Sequence, residues 1–170
     1  MSGQAHLTDA EAVLNSLTER VIGCAFKVGT TLGGGFLENV YENALAHELA
    51  KAGIAFEQQR RLIVRYDEAI VGEYIADIVV ENMLLVEVKA VRAIDPAHAA
   101  QCINYMTATR IAACLLFNFG TRVEVKRFIN SKHLKRPASI HLRSSASSAA
   151  IPAASATPMT WAEKAEWDEP

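Results

Sequence analysis

Residues 75–89 read IADIVVENMLLVEVK, and the placement of Asp77, Glu87 and Lys89 in this apolar run decides the fold. Side chains alternate across a strand, so Glu87 and Lys89 share one face while Val86 and Val88 share the other. The run 83–89 is short and strongly apolar, the pattern of a central buried strand. Charges in such a strand are costly unless something pairs with them. The run 70–80 also reads as a strand, with Asp77 flanked by Ile75 and Val79 on its own face. If the two strands form a hairpin, Asp77 sits beside Glu87. Neighbouring carboxylates repel, and a divalent cation bound to both removes the repulsion.

Working outward, a strand at 56–66 precedes the hairpin, turning at Asp67-Glu68. Asp95-Pro96 opens a helix with Asp as N-cap and Pro at the first helical position; it runs to about Thr109. Strands at 112–118 and 122–129 follow. Toward the N-terminus, Thr8 to Glu11 fits a capping box. Leu14, Leu17, Val21, Ala25 and Val28 then recur at helical spacing. A loop is expected over 27–35 and a second helix over 36–51, with Gly53 as its C-cap. The order α-α-β-β-β-α-β-β predicts an α/β fold, a mixed central sheet flanked by helices.

The chain has 170 residues, enough for one domain with a hydrophobic core. Residues 137–170 hold four of the five prolines and the run SSASSAAIPAASA, and read as a disordered tail. Its acidic end, MTWAEKAEWDEP, reads as an unstructured terminus; a short helix binding a protein partner through Trp161 and Trp167 is the alternative. The domain is therefore expected at 1–136. There the charges balance at 15 of each sign, so contact with nucleic acid must come from a local patch. Arg60-Arg61 and the run VKRFINSKHLKR, from Lys126 to Arg136, are the candidate patches, or else an ordinary solvated surface. Cys24, Cys102 and Cys114 form no CxxC pair and read as reduced core residues of a cytoplasmic protein, neither zinc ligands nor a disulfide framework. No apolar run reaches membrane-spanning length.

The stretch TTLGGGFLENVYENAL, residues 30–45, places three glycines before a helix. Such loops often cradle phosphate. Here the Gly-Lys-Ser/Thr of a P-loop is missing, and Glu38 stands where a dinucleotide-binding loop has its third glycine. A carboxylate there repels a pyrophosphate unless a cation lies between them, so Glu38 is a further candidate at a metal site.

The spacing D-x9-E-x-K from Asp77 to Lys89 resembles the signature of the PD-(D/E)XK nuclease superfamily. Gln101 and Tyr105 match the Q-x-x-x-Y motif of its RecB-like branch, and Gly35 to Tyr41 matches the motif of the GxxExxY proteins. The resemblance extends over about 14–129, including GEYIADIVVE, LLVEVKAV, HAAQCINYM and LLFNFG. It implies a metal-dependent nuclease acting on phosphodiester bonds, with DNA as the nucleic-acid partner and Mg²⁺ or Mn²⁺ as cofactor. Asp77 and Glu87 are the implied metal ligands, with the Val88 carbonyl as a third and Glu38 direct or through water. Lys89 is implied to orient the attacking water and offset charge on the phosphate. Gln101 and Tyr105 share a helix face and position phosphate or Lys89, or tie the helix to the sheet. His98 and Tyr41 read as surface and packing residues. Where this chain has Gly29, members of the family often carry a His. A non-catalytic relative binding nucleic acid or protein is the rival reading, and it leaves the retention of Asp77, Glu87 and Lys89 together unexplained.

Overall fold

The periodic leucines and valines near the N-terminus build helix α1, Asp9–Leu32, in a computed structural model that describes residues 9–134. Leu14, Leu17, Val21, Ala25 and Val28 are all buried on one stripe. The loop expected over 27–35 therefore starts late, since α1 continues to Leu32. Gly29 falls inside the expected loop, yet it is helical, and a Cβ there would lie 2.0 Å from a methyl of Val123, so the glycine is what lets α1 approach the sheet. Close packing outweighs the helix cost of glycine, about 1 kcal/mol. The loop that remains leads into α2, Glu38–Lys51, whose C-cap is Ala52, and the left-handed Gly53 (φ 65°), expected as the cap, stands one residue beyond it.

Five strands follow the expected order: β1 (Phe56–Tyr66), β2 (Ala69–Val80), β3 (Leu84–Lys89), β4 (Ala113–Phe119) and β5 (Val123–Ile129). They lie side by side as β1-β2-β3-β4-β5. β3 and β4 are parallel, joined through helix α3 (Pro96–Thr109), and the other pairs are antiparallel. A parallel pair needs a crossover, which is why α3 must stand on one face of the sheet. A one-turn helix, α4 (Ser131–Leu134), closes the described chain.

Alternation along the strands divides the interior in two. Ile78, Val80, Leu84, Val86, Val88, Leu115 and Phe117 pack with α1 and α2. Val79, Leu85, Cys114 and Leu116 pack beneath Cys102, Tyr105 and Met106 of α3. Asp77, Glu87 and Lys89 have the parity of this second face. One expectation about β2 fails. Ile75 is exposed, and Tyr74 instead turns toward α3, its ring 5.1 Å from that of Tyr105. The ladder has no pair at Gln59, whose φ is 50°, and strand alternation changes sides across that distortion.

The expected Thr8 cap and the tail reading for 137–170 lie outside the described residues. Among the described residues, no helix is long and apolar enough to cross a membrane. Cys102 and Cys114 are buried free thiols and Cys24 is half-buried.

Candidate active site

β3 carries Glu87 into the α3-side core, where its side chain is 1% exposed. Both carboxylate oxygens are buried without a hydrogen-bond partner. Lys89 Nζ lies 3.6 Å from Glu87 Oε2, an ion pair just beyond hydrogen-bonding reach. Burial, and then the charge of Asp77, push the Glu87 carboxyl up to about 8, against the pull of Lys89. Asp77 is also raised by burial, although its Oδ2 accepts from Val88 N at 2.8 Å. That bond ties β2 to β3 one residue beyond the last regular pair, Ile78 with Val86. Burial draws Lys89 down, but the charges of Glu87, Asp77 and Glu38 outweigh it and hold the ammonium above its ordinary value.

Glu38 reaches this end of β3 from the other layer. Its Oε1 accepts from Ala90 N at 3.2 Å and its Oε2 lies 3.9 Å from Lys89 Nζ. Three devices in the glycine loop place it. Gly33 and Gly35 adopt φ of 71° and 105°, which other residues resist. Gly34 packs backbone to backbone, because a Cβ there would meet the Gly120 carbonyl oxygen at 2.5 Å. Tyr41, fully buried and stacked on Phe119 at 4.6 Å, donates its hydroxyl to Gly33 O and accepts from Phe36 N. Tyr41 is thus a clamp on the loop, more than the packing residue its sequence position suggests. Beside Glu38 opens a groove of about 470 Å³ lined by Phe36, Leu37, Asn39 and Ala90.

Gln101 and Tyr105 do share a face of α3, and they bond each other, Nε2 to hydroxyl at 2.7 Å. His98 differs from its expectation as a mere surface residue. Its Nδ1 accepts from Asp95 N, closing a capping box at the start of α3. Two residues were missed from the sequence. Asn118, 2% exposed and paired with Lys89 across β3 and β4, accepts from Val91 N and fixes the chain leaving β3. Glu42, also buried, accepts from Gln58 and Gln59 and lends its charge to the rise of Asp77. Asn118 sits in an apolar strand and Glu42 on a helix full of charges, so neither carries a pattern of its own.

Among the described residues, no three His, Cys, Asp or Glu side chains gather as a metal site. A carboxylate pair still suits a hard cation such as Mg²⁺, which keeps several waters and takes only one or two carboxylates. The two unpartnered Glu87 oxygens fit that role: in this core they need a proton or a cation. A family model for the PD-(D/E)XK nuclease superfamily matches residues 15–128. No curated protein matches. Among solved structures, the crystal structure of SSO0001 is similar at 13% identity and a TM-score of 0.45, over 74% of this chain and 65% of that one. The family match runs from within α1 to the penultimate residue of β5, across every strand of the mixed sheet, and the chain belongs to the PD-(D/E)XK nuclease superfamily.

Proposed function

We propose that this protein is a cytoplasmic, metal-dependent nuclease of the GxxExxY group, in the RecB-like branch, hydrolysing phosphodiester bonds in DNA. One observation carries the reading: Glu87 keeps two orphaned carboxylate oxygens in the core, next to the charge of Asp77 and 3.6 Å from Lys89. A purely structural position has no use for that cost, since an apolar side chain of similar size serves as well. Asp77 and Glu87 would hold Mg²⁺ or Mn²⁺, with the Val88 carbonyl as a further donor and Glu38 acting through a metal-bound water, and the bound ion supplies Lewis-acid stabilisation of phosphate charge.

The chain's own groups do the rest. Lys89, held between Glu87 and Glu38, points a fixed ammonium where an attacking water can be oriented and negative charge on the phosphate offset. Its raised basicity keeps it a cation, which suits charge stabilisation better than proton abstraction. Glu38 steadies both Lys89 and the Ala90 backbone. Gln101 and Tyr105 present a preformed polar pair from α3.

The test is a cleavage screen with Mg²⁺ or Mn²⁺ over single-stranded, duplex and branched DNA and RNA, with two variants beside the wild type. Glu87→Ala abolishes cleavage and weakens Mg²⁺ binding in calorimetry. Lys89→Ala still binds Mg²⁺ but loses single-turnover cleavage by about 10²-fold or more. Wild-type cleavage by Lys89→Ala refutes the assignment, and a wild type that cleaves nothing favours a non-catalytic binding protein.

A further inference from the structure

The basic residues that stand out in the sequence are partly consumed inside the fold, and two that do not stand out are left free. Arg60 bonds Asn82 and pairs with Glu57, and Arg61 pairs with Glu73 at 3.0 Å. Arg127 turns to the other side of the sheet and donates to Asn15 of α1. The side chains of Arg65 of β1 and Arg110, just past α3, make no ion pair or hydrogen bond among the described residues. They line one groove of about 550 Å³ together with Tyr74, Asn104 and Thr107. The remaining lining is aliphatic, and no carboxylate enters the groove.

The backbone is irregular on both sides of the groove. The β1–β2 register slips opposite Val64 and Arg65, where Val71 of β2 is the unpaired extra residue. Ile63, Val64 and Arg65 of the edge strand β1 all line the groove. Arg110 ends α3 in the left-handed conformation, φ 59°. Tyr74 joins the groove to the carboxylate site. Tyr74 is 42% exposed, and its ring meets that of Tyr105, whose hydroxyl accepts from Gln101. Glu87 packs under the same helix.

We propose that this groove carries the phosphodiester backbone of the substrate strand on one side of the scissile bond, Arg65 and Arg110 engaging phosphates and Tyr74 lying against a base or sugar. The inference rests on the nuclease reading above. A guanidinium matches phosphate oxygens through two parallel donors, and an exposed aromatic ring stacks on any base. The groove thus gives grip without reading sequence.

The experiment measures binding of the full chain to a labelled DNA oligonucleotide, single-stranded and duplex, by fluorescence anisotropy in EDTA, so that nothing is cleaved. Affinity is followed from about 50 to about 200 mM salt. In Arg65→Ala/Arg110→Ala, the slope of log affinity against log salt becomes shallower by about 1.4 to 1.8, two phosphate contacts' worth, and affinity falls at least about tenfold at low salt. Arg65→Lys/Arg110→Lys recovers the slope, since a lysine still neutralises a phosphate. Calorimetric Mg²⁺ affinity of the double alanine variant matches wild type, which reports an intact fold and carboxylate site. A double alanine variant with wild-type slope and affinity overturns the proposal, as does a wild type that binds no oligonucleotide. If the slope falls as expected while the wild type cleaves nothing, the groove stands and the nuclease reading fails. If wild type and variant cleave and bind alike, the reverse holds.

Discussion

Glu87 is an acid more easily protonated in the fold than in the unfolded chain, because burial, and then the charge of Asp77, disfavour its carboxylate. The consequence for stability has a definite sign. Its ordinary value is 4.5 and its folded value about 8, so the folded state holds the proton across that window while the unfolded state releases it. The contribution is fully present below pH 4.5 and is lost as pH rises through 8. Metal-free protein should therefore lose stability from mildly acidic to mildly alkaline pH, by an amount on the order of a few kcal/mol. Glu87→Gln, neutral throughout, should flatten this component, and chemical denaturation of both proteins along a pH series in EDTA measures it. Parallel pH profiles would refute the buried-acid account. Glu87 and Lys89 were legible because alternation in apolar β3 singles out its charges, and Asp77 because the neighbouring strand β2 sets it beside them. Asn118 and Glu42 were not, because each matters only through a contact made by the folded chain: Asn118 with Val91, Glu42 with Gln59.

At the scale of elements, the glycine loop and the start of α2 act as one piece. Tyr41 sits one turn into the helix and reaches back to Gly33 O at 2.8 Å and Phe36 N at 3.2 Å, so the helix clamps the loop that places it. Glu38 lies between those anchors. Tyr41→Phe keeps the stack on Phe119 and removes only the hydroxyl, leaving the Phe36 amide and the Gly33 carbonyl without their partner. The expected cost is about 1–2 kcal/mol, seen as a drop of a few degrees in Tm. Amide exchange at residues 33–36 should quicken while that of β3 stays slow. An unchanged melting curve with unchanged exchange would mean that the loop holds itself. The sequence showed the motif and its strands clearly, since period-2 runs and the Asp95-Pro96 cap are local signals. It misplaced the end of α1, because a helical glycine kept for contact with Val123 looks, without its neighbour, like a glycine that breaks a helix. The groove of Arg65 and Arg110 was equally hidden: it depends on bringing β1 against the end of α3.

Across the whole molecule the two faces of the sheet are treated unequally. α1 and α2 cover one face with a continuous apolar layer, whereas α3 alone covers the other. One helix cannot roof five strands. The candidate site and the groove occur on the side left partly open, where charged groups can meet a substrate. Lys126, opposite Leu116 on β5, has the same parity as Glu87 across the ladder, so one member of the basic run read from the sequence does face this side. The thick layer has a different task, which is to close the fold. Its first and last elements hold each other: α1 packs on β5, and Arg127 of β5 donates to Asn15 of α1 at 2.6 Å. Among the described residues, the buried core runs from Leu14 to Phe119, with Phe128 packed at its margin. A chain ending at Arg136 should then melt within a degree or two of the full chain, because a Ser/Ala/Pro-rich segment has little apolar surface to add. Differential scanning calorimetry of both chains at one pH and salt concentration is the measurement. A fall of several degrees would show that residues 137–170 pack on the domain and would move its boundary into the tail.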